Sequence, residues 1–135
     1  HGVFSSDPEE TFIVAYGELL KGEELGNLIQ AGSLQGATPI DLLVLSSCST
    51  AAGDNRAVLG LAGITVRAGA RSTLSTLWEA QDDPNTELMI QFYRELKKDG
   101  MTRAKALSNA KLALINQGYR AHNRWATYVL VGNWL

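Results

Sequence analysis

The chain has 135 residues, enough for one domain with a real core and too few for two. Hydrophobic residues make up 45% and charged residues 19%, which excludes a disordered chain, and a net charge of −2 with no basic block excludes a nucleic-acid surface. The single cysteine excludes an internal disulfide and suits a reducing, cytoplasmic setting. No apolar run reaches the roughly 18 residues of a bilayer span, and no signal-peptide pattern is present, so no membrane association is expected. The first residue is His1 rather than methionine, so the chain reads as a fragment, a processed product or a trimmed end.

In chain order, His1 to Phe4 leads into a turn at Ser5, Ser6, Asp7 and Pro8. Residues 9–16 carry T-F-I-V-A-Y, a β-rich run broken by Gly17, and Glu18-Leu19-Leu20 reads as the second arm of a hairpin. Leu25, Leu28 and Ile29 predict a short amphipathic helix over 23–31, ended by Gly32. Leu42 to Leu45 is a continuous apolar run, the pattern of a strand buried on both faces. A helix over 57–68 follows, apolar on nearly every side, with Gly60 and Gly63 expected to bring it close to the sheet and Gly69 to cap it. Ser72 to Leu77 is a second strand, and W-E-A-Q-D-D at 78–83 an acidic loop. Asp83 is a plausible N-cap for a helix over 84–98 opened by Pro84. Thr102 caps a further helix through Gln117, residues 118–124 form a polar loop, and Trp125 to Val131 is the last strand, finished by Gly132. Strands alternating with helices of crossover length argue α/β with a largely parallel sheet. There is no internal repeat and no linker.

The chemistry gathers at the end of the central strand. Leu42 to Leu45 stops at Ser46, Ser47, Cys48, Ser49 and Thr50, all small. Ligands in open α/β sheets collect beyond the carboxyl ends of strands, so a thiol there is a candidate nucleophile. A cysteine in that place is also an ordinary small core residue. Two histidines are available as its partner. His1 precedes Gly2, whose lack of a side chain lets a backbone N–H approach an oxyanion. His122 lies among Arg120, Asn123 and Arg124 and reads as a surface residue. Neither a P-loop nor G-x-G-x-x-G is present, so no cofactor is expected, and no metal site is read from the sequence.

The blocks His1-Gly2-Val3-Phe4, L-V-L-S-S-C-S-T-A-A-G at 43–53, G-L-A-G at 60–63, R-A-G-A-R at 67–71 and T-L-W at 76–78 occur in that order. They are followed by Q-F-Y at 91–93, K-A-L at 105–107 and W-A-T-Y-V-L-V-G-N-W at 125–134. This series resembles the CHAT family, the caspase-like peptidase domain commonly attached to tetratricopeptide repeats and related to caspases, separases and gingipains. The resemblance covers nearly the whole chain. It departs at the front, where the family's preceding strands, including the one carrying the histidine, are absent.

The resemblance implies a caspase-like three-layer αβα fold with a mainly parallel sheet, of which residues 1–135 are the C-terminal portion of a single domain. It implies a cysteine endopeptidase acting on polypeptide substrates through a Cys-His dyad, with Cys48 the nucleophile and His1 the catalytic histidine. The backbone N–H groups of Gly2 and Cys48 would form the oxyanion hole. Separases keep an acid near this rim for a basic P1 residue, so Glu79, Asp82 and Asp83 are candidates for a P1 pocket taking Arg or Lys. The expected partners are a tetratricopeptide-repeat region or a missing N-terminal half of the same protein. With the histidine strand missing, the edge of Leu42 to Leu45 would be bare, which favours a homo-oligomer through that edge and a fragment inactive on its own. Two other readings stand beside the peptidase: a non-catalytic caspase-like interaction domain, and a flavodoxin-like binding module.

Overall fold

The structure is a computed structural model that describes the backbone of residues 2–4, 10–36, 38–46, 49–50, 55–78 and 82–135, with the side chains of all of these except 4, 33, 49–50, 55–59 and 82. Its elements are β1 (Gly2–Phe4), β2 (Phe12–Val14), β3 (Leu19–Lys21), α1 (Gly22–Leu34), β4 (Leu43–Leu45), β5 (Ser49–Thr50), α2 (Asn55–Arg67), β6 (Ser72–Thr76), α3 (Asp82–Leu96), α4 (Arg103–Asn116), α5 (His122–Trp125) and β7 (Tyr128–Gly132). They build two sheets, ordered β3-β2-β1-β5 and β4-β6-β7.

The class is mixed α/β, as the alternation predicts, but the sheets are not mainly parallel. Among the described residues only β1–β5 and β4–β6 run parallel, while β1–β2, β2–β3 and β6–β7 are antiparallel. The tight turn at Tyr16-Gly17 forces β2 and β3 antiparallel, with Ala15 and Glu18 exchanging backbone hydrogen bonds. β7 is reversed because two packed helices, α3 and α4, separate it from β6 and return the chain to the end where β6 stopped. There Leu77 N donates to Thr127 O at 2.7 Å.

Helices cover both faces of the three-stranded sheet. On one face Leu74 and Tyr128 pack with Leu88 and Phe92 of α3 and Ala106, Leu107, Ala110 and Leu114 of α4. On the other, Leu61 of α2 gathers Ile13, Leu25, Leu45 and Val129. β6, S-T-L-S-T, is buried along its whole length. Two of its polar side chains are accommodated by pairing: Thr73 and Thr65 share a hydroxyl hydrogen bond at 2.7 Å, and Ser72 Oγ donates to Asp41 O. β4 is only half-buried at Leu43, Val44 and Leu45, not sealed on both faces, because it is the outer strand of its sheet.

Several boundaries move for local reasons. α1 runs through Gly32 to Leu34, since a glycine inside a helix costs only about 1 kcal/mol. Its start is fixed by Glu24, whose carboxylate accepts from Lys21 N, half of a capping box. Gly60 and Gly63 do not bring α2 to the sheet, as added Cβ atoms there would touch nothing closer than Arg67 at 3.9 Å. The close approach of α2 to the sheet is made at Gly132 of β7, where a Cβ would meet Val66 at 3.1 Å, and Gly26 of α1 lets α1 and α2 meet, with Ile64 at 3.1 Å. Gly69 does cap α2: Gly69 N donates to Val66 O and Ala70 N to Thr65 O, a Schellman pair. α3 begins at Asp82, so Asp83 lies in the first turn and is not the N-cap. Pro84 is tolerated there because first-turn N–H groups have no intrahelical partner. Thr102 caps α4 as expected, accepting from Lys105 N. Residues 122–125 form the short helix α5 rather than a loop, and the last strand starts at Tyr128.

Candidate functional site

β4 and β6 are parallel, with Leu45 opposite Ser75, so the chain leaves both strands at one rim. Ser46, exposed, follows β4 there. Leu77 and Trp78 follow β6, and the indole of Trp78 donates to Asn123 O of α5 at 3.4 Å.

The front of the chain pairs with the segment that follows β4 in sequence. β5 begins four residues after Leu45, and β1 pairs with it in parallel, Val3 opposite Ser49 and Phe4 opposite Thr50. β1 is held from its other side by β2, with Gly2 opposite Ile13 and Val3 opposite Phe12. Gly2 is buried. The sequence reads residues 1–4 as a lead-in to a turn, yet Gly2–Phe4 is an inner strand of its sheet. The residue directly after His1 and the residue directly after Cys48 thus belong to two neighbouring strands. His1 and Cys48 themselves lie outside the described residues, as does Glu79. Asp82 is the first residue of α3, its side chain outside the described ones, and Asp83 is exposed in the next position. The cap that would have explained Asp83 without a site is therefore absent. His122 opens α5 and is exposed, at the same end of the sheet but across β6 from β4.

Three polar groups near this rim were not singled out by sequence. The hydroxyls of Ser75 and Thr76 and Oδ1 of Asn85 are buried without a hydrogen-bond partner. Leaving such a group unsatisfied costs roughly 1–3 kcal/mol. Ser75 and Thr76 are the last two residues of β6, and Asn85 is in the opening of α3. The available signal was the strand S-T-L-S-T itself, polar at four of five positions between helices that need an apolar sheet.

Among the described residues, the groups with shifted acidity lie elsewhere. Lys111 of α4 is pushed below the usual lysine range by burial, and its Nζ donates to Tyr128 O at 2.8 Å. Glu95 of α3 is held below the usual carboxylate range by hydrogen bonds from Lys98 and Asn109. Among the described residues no group of His, Cys, Asp and Glu could hold a metal ion. Among the described residues no helix is long and apolar enough to cross a membrane.

The profile of the CHAT domain family matches residues 1–133. No curated protein matches the chain.

Proposed function

The chain belongs to the CHAT domain family, and from that premise we propose that it is the catalytic part of a caspase-like cysteine endopeptidase with Cys48 as nucleophile and His1 as its partner. The observation that carries this reading is the parallel ladder of Val3 with Ser49. It ties the segment after the histidine to the segment after the cysteine, beyond the end of β4, where an α/β sheet collects its chemistry. A ladder spacing of about 4.8 Å is compatible with a substrate carbonyl between two side chains that leave adjacent strands.

In the proposed reaction the Cys48 thiolate attacks the scissile carbonyl carbon and a C–S bond forms. The negative charge on the carbonyl oxygen is received by the backbone N–H groups of Gly2 and Cys48. The C–N bond then breaks, and the imidazolium of His1 gives its proton to the departing amine. Water attacks the thioester, its proton passes to His1, and the free carboxylate leaves Cys48 as it began. Glu79, Asp82 and Asp83 form the acidic side of the P1 pocket in this reading. They favour Arg or Lys there, because an acidic or apolar P1 would leave a partly desolvated carboxylate unpaired. The polypeptide substrate is the partner this chemistry needs, and a tetratricopeptide-repeat region is the proposed regulatory neighbour.

The sequence alone favours a fragment inactive on its own because His1 would be untethered; with β1 held by both β2 and β5, the chain is proposed to be active. The test is hydrolysis of fluorogenic peptides with Arg, Lys, Asp or Leu at P1, by the chain and by Cys48→Ala. Cleavage after Arg or Lys that disappears in Cys48→Ala supports the reading. A well-folded chain that cleaves none of them and whose thiol reacts no faster than free cysteine is the non-catalytic interaction domain instead.

A further inference from the structure

The sequence reads Leu25, Leu28 and Ile29 as one apolar face of α1, but the fold uses only part of it. Leu25 packs into the core beside Leu61, Gly26 meets Ile64 of α2, and Ile29 is half-buried. Leu28 is 61% exposed. It belongs to a second stripe, Glu24, Asn27, Leu28 and Ala31, whose spacing of i, i+3, i+4 and i+7 puts them on one side of the helix. Facing that stripe, the turn and second arm of the β2–β3 hairpin complete a groove of about 480 Å³. Leu20, Leu28 and Ala31 are part of its apolar lining, and the two charged residues that line it, Glu18 and Glu24, are both acidic and both exposed. The Glu18 carboxylate has no partner among the described residues, and that of Glu24 accepts from the neutral Lys21 N–H, so neither charge is neutralised by a cation. The whole lining lies within residues 15–31, a continuous described stretch that includes no part of β4.

We infer that this groove binds a basic, amphipathic helix of a partner polypeptide. A helical ligand laid along α1 would set apolar residues spaced i and i+4 between Leu20 and Leu28, the ridge-into-groove contact of two helices. Lysine or arginine one turn to either side would meet Glu18 and Glu24. Covering Leu28 supplies the apolar contact, and the two carboxylates set the sign of the ligand. An extended ligand adding to the edge of β3 fits less well, because Lys21 N there is already held by Glu24. A second copy of this chain presenting the same groove also fits less well. It would bring the same two carboxylates to the seam from each side, with no cation between them.

Binding in this groove needs no peptidase activity, so the test uses the Cys48→Ala chain, which leaves a lysine-bearing probe uncut. The probe is a fluorescein-labelled, alanine-based helical peptide of about 18 residues, with two leucines at i and i+4 and a lysine one turn before and after them. Its control carries glutamate in place of each lysine. Anisotropy should show saturable binding of the lysine probe and at least about tenfold weaker binding of the control. Leu28→Lys should weaken binding of the lysine probe by at least about tenfold. Gln30→Lys makes the same charge change at an exposed position of α1 outside the groove and should leave binding unchanged. Circular dichroism verifies that both variants are folded. No saturable binding, equal binding of the glutamate control, or equal weakening by Gln30→Lys overturns the inference. So does a concentration-dependent dimer, seen by sedimentation, that Leu28→Lys dissociates, since it assigns the groove to a second copy.

Discussion

Val3 stands opposite Ser49 in a parallel ladder, and Phe12 grips Val3 from the other side. The strand that follows His1 is therefore an inner one, with backbone groups used on both edges. Substituting proline within β1 removes an N–H that one neighbour or the other needs. Val3→Pro is expected to abolish peptide hydrolysis while leaving the α3–α4 face of the second sheet folded. Helical circular dichroism close to that of the parent chain, with hydrolysis lost, is the expected pair of results. Hydrolysis at the parent rate in Val3→Pro would detach β1 from the site.

The two ends of the glycine range give opposite predictions. Gly132 has φ +98, and a Cβ there would lie 2.5 Å from Arg71 O. Gly132→Ala should cost at least roughly 1–3 kcal/mol from the left-handed backbone alone. Gly60 lies inside α2 with nothing within 4 Å of an added Cβ. Gly60→Ala should stabilise by up to about 1 kcal/mol. Urea denaturation of both variants reads the contrast, and a midpoint shift of the same sign in both contradicts it.

Thr65 and Thr73 predict a non-additive pair. Their hydroxyls share a buried hydrogen bond, and Thr65 Oγ1 also donates to Ala62 O. Thr73→Val leaves one oxygen of the pair without its neighbour and should cost about 1 kcal/mol. Adding Thr65→Val removes the orphan, so the double variant should be less destabilised than the sum of the singles. A double-mutant cycle in urea measures the coupling, and strict additivity would contradict the shared bond.

Lys111 predicts a pH dependence of stability. Burial lowers its folded pKa below the ordinary 10.5, so over the intervening range the unfolded chain holds more protons than the folded one. Stability then rises with pH across that range, and the burial penalty is present in full below it. In Lys111→Met the alkaline rise should flatten. Urea midpoints of both chains through the alkaline range decide this, and identical slopes would contradict it.

Much of this fold is legible in the sequence because its signals are periodic. The hairpin around Gly17 and the helices α3 and α4 form where their signals put them, and Leu88, Phe92, Ala106, Leu107, Ala110 and Leu114 are buried, whereas the apolar run at 42–45 is only half-buried. What failed has no period to read. Gly2–Phe4 is three residues before a turn-rich stretch, and its pairing with β5 is a tertiary fact. The direction of β7 depends on the two-helix return through α3 and α4, not on any residue of the strand. α5 is a single turn. For the candidate site, Cys48 and His1 are proposed from resemblance and strand-end logic and lie outside the described residues, whereas Ser75, Thr76 and Asn85 were not singled out. Their polar side chains look like ordinary surface until the helices on both faces are in place.

The central claim is that Cys48 is an activated thiol served by His1. Its most direct measurement is the rate at which a peptidyl acyloxymethylketone with Arg at P1 alkylates Cys48 near neutral pH, compared among the parent chain, His1→Ala and His122→Ala. The account predicts rapid, saturable labelling of Cys48, slowed strongly in His1→Ala and unchanged in His122→Ala. Labelling no faster than that of a simple thiol, or equally fast without His1, would contradict it.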